Sequence, residues 1–403
     1  MPVYAPIVNQ LVDLLWEVDD LDTAVRNSLE YDIPAFETYG ITSGKGFLDF
    51  ANWLVTGWIP TEKTKGRDIY EILCIFYFVL DREPLGMRQT QITPKNAAKR
   101  AEDSLTPLSK WVVDFANEIG SHLAKPGSMS EASLLTFWNT PSFHVNEAEV
   151  PEGGFGSFNE FFCRKLKPGM RPIEGQDNDR IVTFPADSTF AGAFQITDES
   201  EVVLKGLPWK VADLLKGSDG KPSPYATAFK DGVWMHSFLN TFDYHRQHAP
   251  VSGKVVEAKN IAGAAYLEVV VSKDKEGNNI LQPYRRMRGK YSAKCGTEIH
   301  ALDAPDTPGY QFLQARGLVI IENPKLGKVA VLPIGMAQVS SVILAPDLHG
   351  KQIKKGDEIS HFEFGGSDCV MLFEKRAWVS GFPDSEVKTH YNYGEKLCTA
   401  HFK

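Results

Sequence analysis

Phe362–Glu374 reads FEFGGSDCVMLFE, an apolar, strand-like run broken near its middle by Gly365, Gly366 and Ser367. A glycine pair weakens a strand, because it adds backbone freedom and leaves no side chain to pack. The ordinary explanation is a β-bulge or a tight turn. The alternative is a functional one: a pliable backbone and an uncrowded carbonyl placed directly before a hydroxyl. Which explanation holds decides how the C-terminal part folds and what it does.

The surroundings of that stretch are rich in short strand patterns. From about residue 180 the chain runs through VWMHSFL, GKVVEA, YLEVVV, GLVIIEN, GKVAVLPIGM and SSVILA before reaching FEFGGSDCVMLFE. Short strands at close spacing predict a predominantly antiparallel barrel or sandwich. The first 150 residues have a helical period instead. Val8, Leu11, Val12, Leu15 and Val18 recur at helical spacing, and Ile69, Ile72, Leu73, Phe76, Tyr77 and Leu80 mark an all-round apolar, internal helix. Thr93-Pro94 and Thr106-Pro107 are N-cap-plus-N1 signals, and Gly120 is a candidate helix stop. NEAEVPEGGFGS (Asn146–Ser157) reads as a linker, followed by Ser157 and Glu160 at capping-box spacing. The expected architecture is α+β, with a helical N-terminal domain over 1–150 and a β-rich catalytic domain over 151–403. There is no internal repeat.

Composition narrows the function. With a net charge of −8 and 43% apolar residues, the chain is an ordinary globular protein ill suited to nucleic acid or to electrostatic docking on anionic lipid. The N-terminal MPVYAPIVNQLVDLLWEVDDLD reads as an acidic amphipathic helix, not as a targeting segment. The longest apolar run, Ile72–Leu80, is far short of the roughly 18–20 residues of a membrane span. Five scattered cysteines (Cys74, Cys163, Cys295, Cys369, Cys398) show no paired spacing, which argues against a zinc site and for a reducing, cytoplasmic compartment.

Titratable groups gather in FPADST, with Asp187, and in LNTFDYHRQHAP, with Tyr244, His245, Arg246 and His248. Asp187, His248 and Ser367 can be combined into a carboxylate–imidazole–hydroxyl set, in which the imidazole takes the hydroxyl proton. The order alone is weak evidence, because triads are recognised by geometry. Taken singly, Asp187 reads as a turn former and each histidine as a hydrogen-bonded core or surface residue. Nothing nearby completes a metal site around His245 and His248.

Taken together, FNEFFCRKLKPGMRPI, FPADST, LNTFDYHRQHAPVSGKV and KGDEISHFEFGGSDCVMLFE resemble, in order and spacing, the signature series of the phosphatidylserine decarboxylase family. The resemblance implies self-cleavage between Gly366 and Ser367. Ser367 would become a pyruvoyl group at the head of a short chain, 367–403, that stays bound to the rest. It implies Asp187 and His248 as relay partners of Ser367, and His245 in the decarboxylation step. The pyruvoyl group would form a Schiff base with a substrate amine and release CO2, with neither metal nor pyridoxal phosphate.

Two positions depart from the family pattern. Ser188 stands where glycine is common, and Asp368-Cys369 follow the serine where small or apolar residues are usual. The helical segment around ANWLVTGWIP (Ala51–Pro60) resembles the soluble tryptophan-decarboxylase branch, which implies a free, aromatic L-amino acid as substrate. Phosphatidylserine is the alternative, and the basic run Tyr284–Lys290 bears on it as a candidate phosphate contact, although a solvated loop is the plainer reading. Tyr266, Tyr244 and Gly365 are candidate substrate contacts. A serine hydrolase using the same three residues, or a non-catalytic barrel, completes the alternatives; no G-x-S-x-G elbow surrounds Ser367. Oligomeric state is not written in the sequence.

Overall fold

The structure, a computed structural model, describes residues 3–15, 18–63, 67–204, 207–283, 309–336 and 342–402. The basic run 284–290 and Cys295 lie outside the described residues.

Helices dominate up to Glu147. The main ones are Pro6–Leu14, Val18–Leu29, Gly44–Thr56, Asp68–Leu80 and Pro107–Leu123. The apolar period from Val8 to Val18 is thus split between two helices. Thr93 and Thr106 accept N–H bonds from Asn96 and Ser109, as N-caps do before a proline at N1. Gly120 does not stop its helix, which runs one turn further to Leu123. That extra turn buries Leu123 and brings the His122 ring to 2.9 Å from the Trp58 carbonyl, which outweighs about 1 kcal/mol for an internal glycine. Asp68–Leu80 is buried on all sides from Ile72 onward, as its apolar circumference requires. Its Phe76 ring stacks on Phe115 at 4.8 Å and 7°.

Strands begin at Ile181. Eight of them form an antiparallel sheet in the order Gln352–Ile353, Gly253–Ile261, Arg316–Asn323, Gly327–Met336, Gly366–Phe373, Val233–Leu239, Ser188–Gln195, His390–Tyr391. Both faces are covered, so its strands read as continuous apolar runs. Val319, Ile321, Cys369, Met371 and Phe373 join the larger core, which is continuous with the helices. Leu318, Ile320, Val370 and Leu372 join a second core with Trp209, Trp234 and Phe312. The helical part docks through Asp68–Leu80 onto the hairpin Val269–Lys273/Asn279–Pro283, where Arg67 donates to the Leu281 carbonyl at 3.1 Å.

The aromatic stack at Phe76 sets a stability prediction. Phe76→Ala should cost about 3–5 kcal/mol, because it opens a cavity against Phe115 and Trp111 that neighbouring helices cannot close. Urea unfolding followed by circular dichroism measures this; a loss below about 1 kcal/mol would mean the site collapses freely.

Candidate active site

The glycines at 365 and 366 do not interrupt a strand. Glu358–Phe362 belongs to a three-stranded sheet with Val342–Leu344 and Arg246–His248, whereas Gly366–Phe373 is a central strand of the eight-stranded sheet. Between them the chain turns a corner, with Gly365 at φ 147°, a conformation that a side chain would strain. Phe364 pins this corner. Its N–H donates to Asn159 Oδ1 at 3.2 Å, and its ring meets Trp58, Phe158 and Phe162 edge-on at 5.3–5.4 Å. Asn159 in turn donates to the Gly120 carbonyl at 3.1 Å, inside the helix that failed to stop.

Ser367 follows directly, its backbone paired with Gly335 on one side and Leu239 on the other. It is fully buried, and its Oγ has no hydrogen-bond partner among the described residues. Leaving a buried hydroxyl unsatisfied costs about 1–3 kcal/mol, so this atom is held in a higher-energy state than an ordinary core serine.

Both histidines of YHRQH are buried. The His248 ring is held at both nitrogens: Nδ1 lies 2.7 Å from the Gly356 carbonyl oxygen and Nε2 lies 3.1 Å from Tyr244 Oη. A carbonyl accepts only, so the proton sits on Nδ1 and Nε2 is the basic nitrogen. Burial pushes this imidazole down to about 4. The His245 ring lies flat on Phe162 at 3.8 Å, and among the described residues neither of its nitrogens has a partner in hydrogen-bond geometry. Burial, reinforced by the Arg164 guanidinium, holds its imidazole well below 6.5; backbone groups of Asn240, Phe162 and Asp243 offset part of that. His245 is therefore neutral throughout the physiological range. Phe162 touches both the His245 ring and Phe364, so this histidine lies one ring away from the corner.

Asp187 faces an arginine. Arg171 donates to it through Nε at 3.0 Å and Nη2 at 2.6 Å, and reaches Glu147 with Nη1 at 2.8 Å. The Tyr393 N–H adds a third donor at 2.8 Å. Burial raises the Asp187 carboxyl while Arg171 opposes it, and with three donors aimed at it the site accommodates the carboxylate. Asp187 and His248 meet through Tyr393, whose ring stacks on the imidazole at 3.7 Å and 3°. No hydrogen bond joins Asp187, His248 and Ser367 into a chain, since the recorded partners of Asp187 and His248 are other groups and Ser367 Oγ has none among the described residues.

Other expected residues fall as follows. Tyr244 is buried against His248, Gly365 forms the corner, and Tyr266 is half-buried in the segment between Ile261 and Val269, its carbonyl accepting from Gln314 at 2.8 Å. Ser188 is buried and bonds back to the Ala186 carbonyl at 3.0 Å. Arg171, Tyr393, Asn159 and the Gly356 carbonyl were not among the expected site residues. Arg171, Asn159 and Gly356 do lie inside the quoted motifs, which was the available signal; Tyr393 lies outside them. Among the described residues no cluster of three or more His, Cys, Asp or Glu can hold a metal, and no helix is long and apolar enough to cross a membrane.

The sequence profile described as phosphatidylserine decarboxylase matches residues 158–399, more than half of the chain. Three curated proteins illustrate the similarity. Phosphatidylserine decarboxylase proenzyme 3 of Schizosaccharomyces pombe is 30% identical over 261 residues, covering 63% of this chain and 23% of that protein. Phosphatidylserine decarboxylase proenzyme 2 of Oryza sativa subsp. japonica is 28% identical over 285 residues, covering 70% and 40%. Decarboxylase iboD of Amanita muscaria is 29% identical over 308 residues, covering 73% and 83%. The chain thus spans less than half the length of the first two.

The buried His248 makes stability depend on pH. Its folded imidazole titrates at about 4, below the unfolded value of about 6.5, so its contribution is complete above pH 6.5 and is lost as pH falls towards 4. Relative to His248→Gln, the wild type should lose on the order of 3 kcal/mol over that window. Urea titrations at several pH values measure the difference; a flat difference would show an imidazole that is not buried in its neutral form.

Proposed function

The chain belongs to the phosphatidylserine decarboxylase family, whose members are carboxy-lyases carrying a pyruvoyl group made from a serine, and from that membership we propose that it cleaves itself between Gly366 and Ser367 and decarboxylates a free L-amino acid, aromatic in kind. The observation that carries the reading is Ser367 itself: a buried hydroxyl without a partner among the described residues, placed at the second position of the strand that leaves the Gly365 corner.

The residues fit such a group. Gly365 and Gly366 leave the scissile carbonyl uncrowded, and Gly335, across the ladder from Ser367, presents no side chain. Ser367 Oγ attacks the Gly366 carbonyl carbon and its proton passes to His248 Nε2, converting the amide to an ester. Removal of the Cα proton of residue 367 expels the Gly366 carboxylate from Cβ and leaves dehydroalanine. Tautomerisation, followed by hydrolysis with loss of ammonia, gives the ketone. Held at the head of the strand by its pairing with Gly335 and Leu239, such a ketone would supply the electron sink that decarboxylation of a substrate amine needs. His248 is neutral and so available as a base, with its Nδ1–H fixed on Gly356. Asp187 supports it at one remove, by fixing Tyr393 against the ring. His245, kept neutral beside the corner, supplies its ring N–H to the carbon left by CO2.

A free amino acid is favoured by the resemblance of the segment around Ala51–Pro60 to the tryptophan-decarboxylase branch. The relative in Amanita muscaria is named a decarboxylase without mention of a lipid, whereas the other two are named for phosphatidylserine. Cys74, Cys163, Cys369 and Cys398 are all free thiols, in keeping with a reducing compartment.

Intact mass of the purified protein tests the first half: two species, 1–366 and a 37-residue piece with a blocked N-terminus. Ser367→Ala and His248→Ala should each leave one chain. His245→Ala should cleave but lose CO2 release by at least about 100-fold. Wild-type turnover in that last variant would remove His245 from the mechanism. Assaying CO2 from tryptophan, phenylalanine, tyrosine and phosphatidylserine settles the substrate; release from the lipid alone would overturn the amino-acid assignment.

A further inference from the structure

Asp368, the residue directly after the reacting serine, is the least expected group in the sheet. It is fully buried at the centre of the eight-stranded sheet, paired with Ile334 and Phe238. An isolated carboxylate there would cost several kcal/mol, so it survives only with partners. Tyr310 answers it directly, donating its hydroxyl to Oδ2 at 2.7 Å, and His236 Nε2 packs 2.9 Å from the same oxygen without hydrogen-bond geometry.

Both groups are themselves fixed in place. Tyr310 follows Gly309, whose φ of +94° and close approach to Trp209 leave no room for a side chain; a Cβ would fall 2.1 Å from the indole. His236 comes from the neighbouring strand, two residues after Trp234, which lies flat against Phe312 at 5.5 Å and 2°. The side chains of residues 367 and 368 project to opposite faces of their strand, but one planar peptide joins them. Holding the Asp368 side chain therefore holds the carbonyl carbon of residue 367.

We propose that Asp368, held by the Tyr310 hydroxyl and flanked by His236, is a positioning residue that keeps the head of the strand at residue 367 in place once the Gly366–Ser367 bond is gone. This rests on the self-cleavage reading above. Before the cut, the strand is anchored through its covalent link to the corner at Gly365. Afterwards residue 367 is a chain end, and chain ends fray unless side chains tie them down. A ketone that swings away from its donors loses the orientation on which its reactivity depends.

Hydrogen exchange read by mass spectrometry tests this on Asp368→Asn and Tyr310→Phe, each made in the cleavable chain and in the uncleavable Ser367→Ala chain. Both variants should still cleave, with the ketone counted by hydrazone formation. In the cleaved form, amides of 369–373 should exchange about fivefold faster than in wild type, with no change in the uncleaved form. Turnover per titrated ketone should fall about tenfold, with KM within about threefold. Equal exchange in cleaved variant and wild type would overturn the proposal. So would equal acceleration in the uncleaved chain, which would make Asp368 a general stability residue. Failure of both variants to cleave would also overturn it, because Asp368 would then act before the break. Tyr310→Phe keeps the carboxylate and stands as the test if Asp368→Asn does not fold. An intact wild type would sink the self-cleavage reading itself; a cleaved wild type with unaffected variants sinks only the clamp.

Discussion

Antiparallel pairing on both sides of Gly366–Phe373 is the constraint on which the rest depends. The strand is bonded to Gly327–Met336 on one edge and to Val233–Leu239 on the other. Its side chains from Cys369 to Phe373 are buried on both faces. A break at its first peptide removes one covalent link and leaves this ladder intact. The same break in a loop would release a mobile tail, and within an edge strand it would leave half the backbone groups unpaired. The corner at Gly365 supplies the pliability and the strand supplies the rigidity, one residue apart.

Dryness governs the electrostatics around that corner. Burial moves His248 to about 4, holds His245 well below 6.5, and brings the Arg164 guanidinium down to about 10. Charge is tolerated where it is answered by several donors, as at Asp187 with Arg171 and Tyr393, or by a partner in register, as at His390, where burial lowers the imidazole but Asp243 at 2.9 Å raises it more. The consequence is a pair of imidazoles kept neutral near pH 7, His248 held between the Gly356 carbonyl and the Tyr244 hydroxyl and His245 stacked on Phe162. Such groups gain more from a developing charge than they would in water.

Much of this was legible in the residues. VWMHSFL and GKVAVLPIGM are strands over the residues quoted, and the two Thr-Pro pairs cap helices. What escaped has physical causes. FEFGGSDCVMLFE looks like one interrupted strand because a sequence does not say that its halves pair with different partners; only the sheet order does. Gly120 carries a stop signal that packing of Leu123 overrides. Asp187 reads as the partner of His248, yet the Tyr393 backbone lies 206 residues away in sequence and sits between them in space. Nothing in YHRQH says that the His245 ring stacks on Phe162, which removes it from water.

The 37 residues from Ser367 onward contribute to two sheets: the strand ending at Phe373, with His390–Tyr391, in the large one, and Lys396–Ala400, between Val379–Ser380 and Ile181–Thr183, in a smaller one. A piece woven in this way cannot be lifted out and replaced without unfolding the whole. An enzyme that borrows its electrophile can discard a spoiled molecule and take a fresh one from solution. Under the proposed self-cleavage each chain is armed a single time, and a chemical accident at that carbon ends its working life. Catalytic capacity is then set by how many chains are synthesised, with no route to repair.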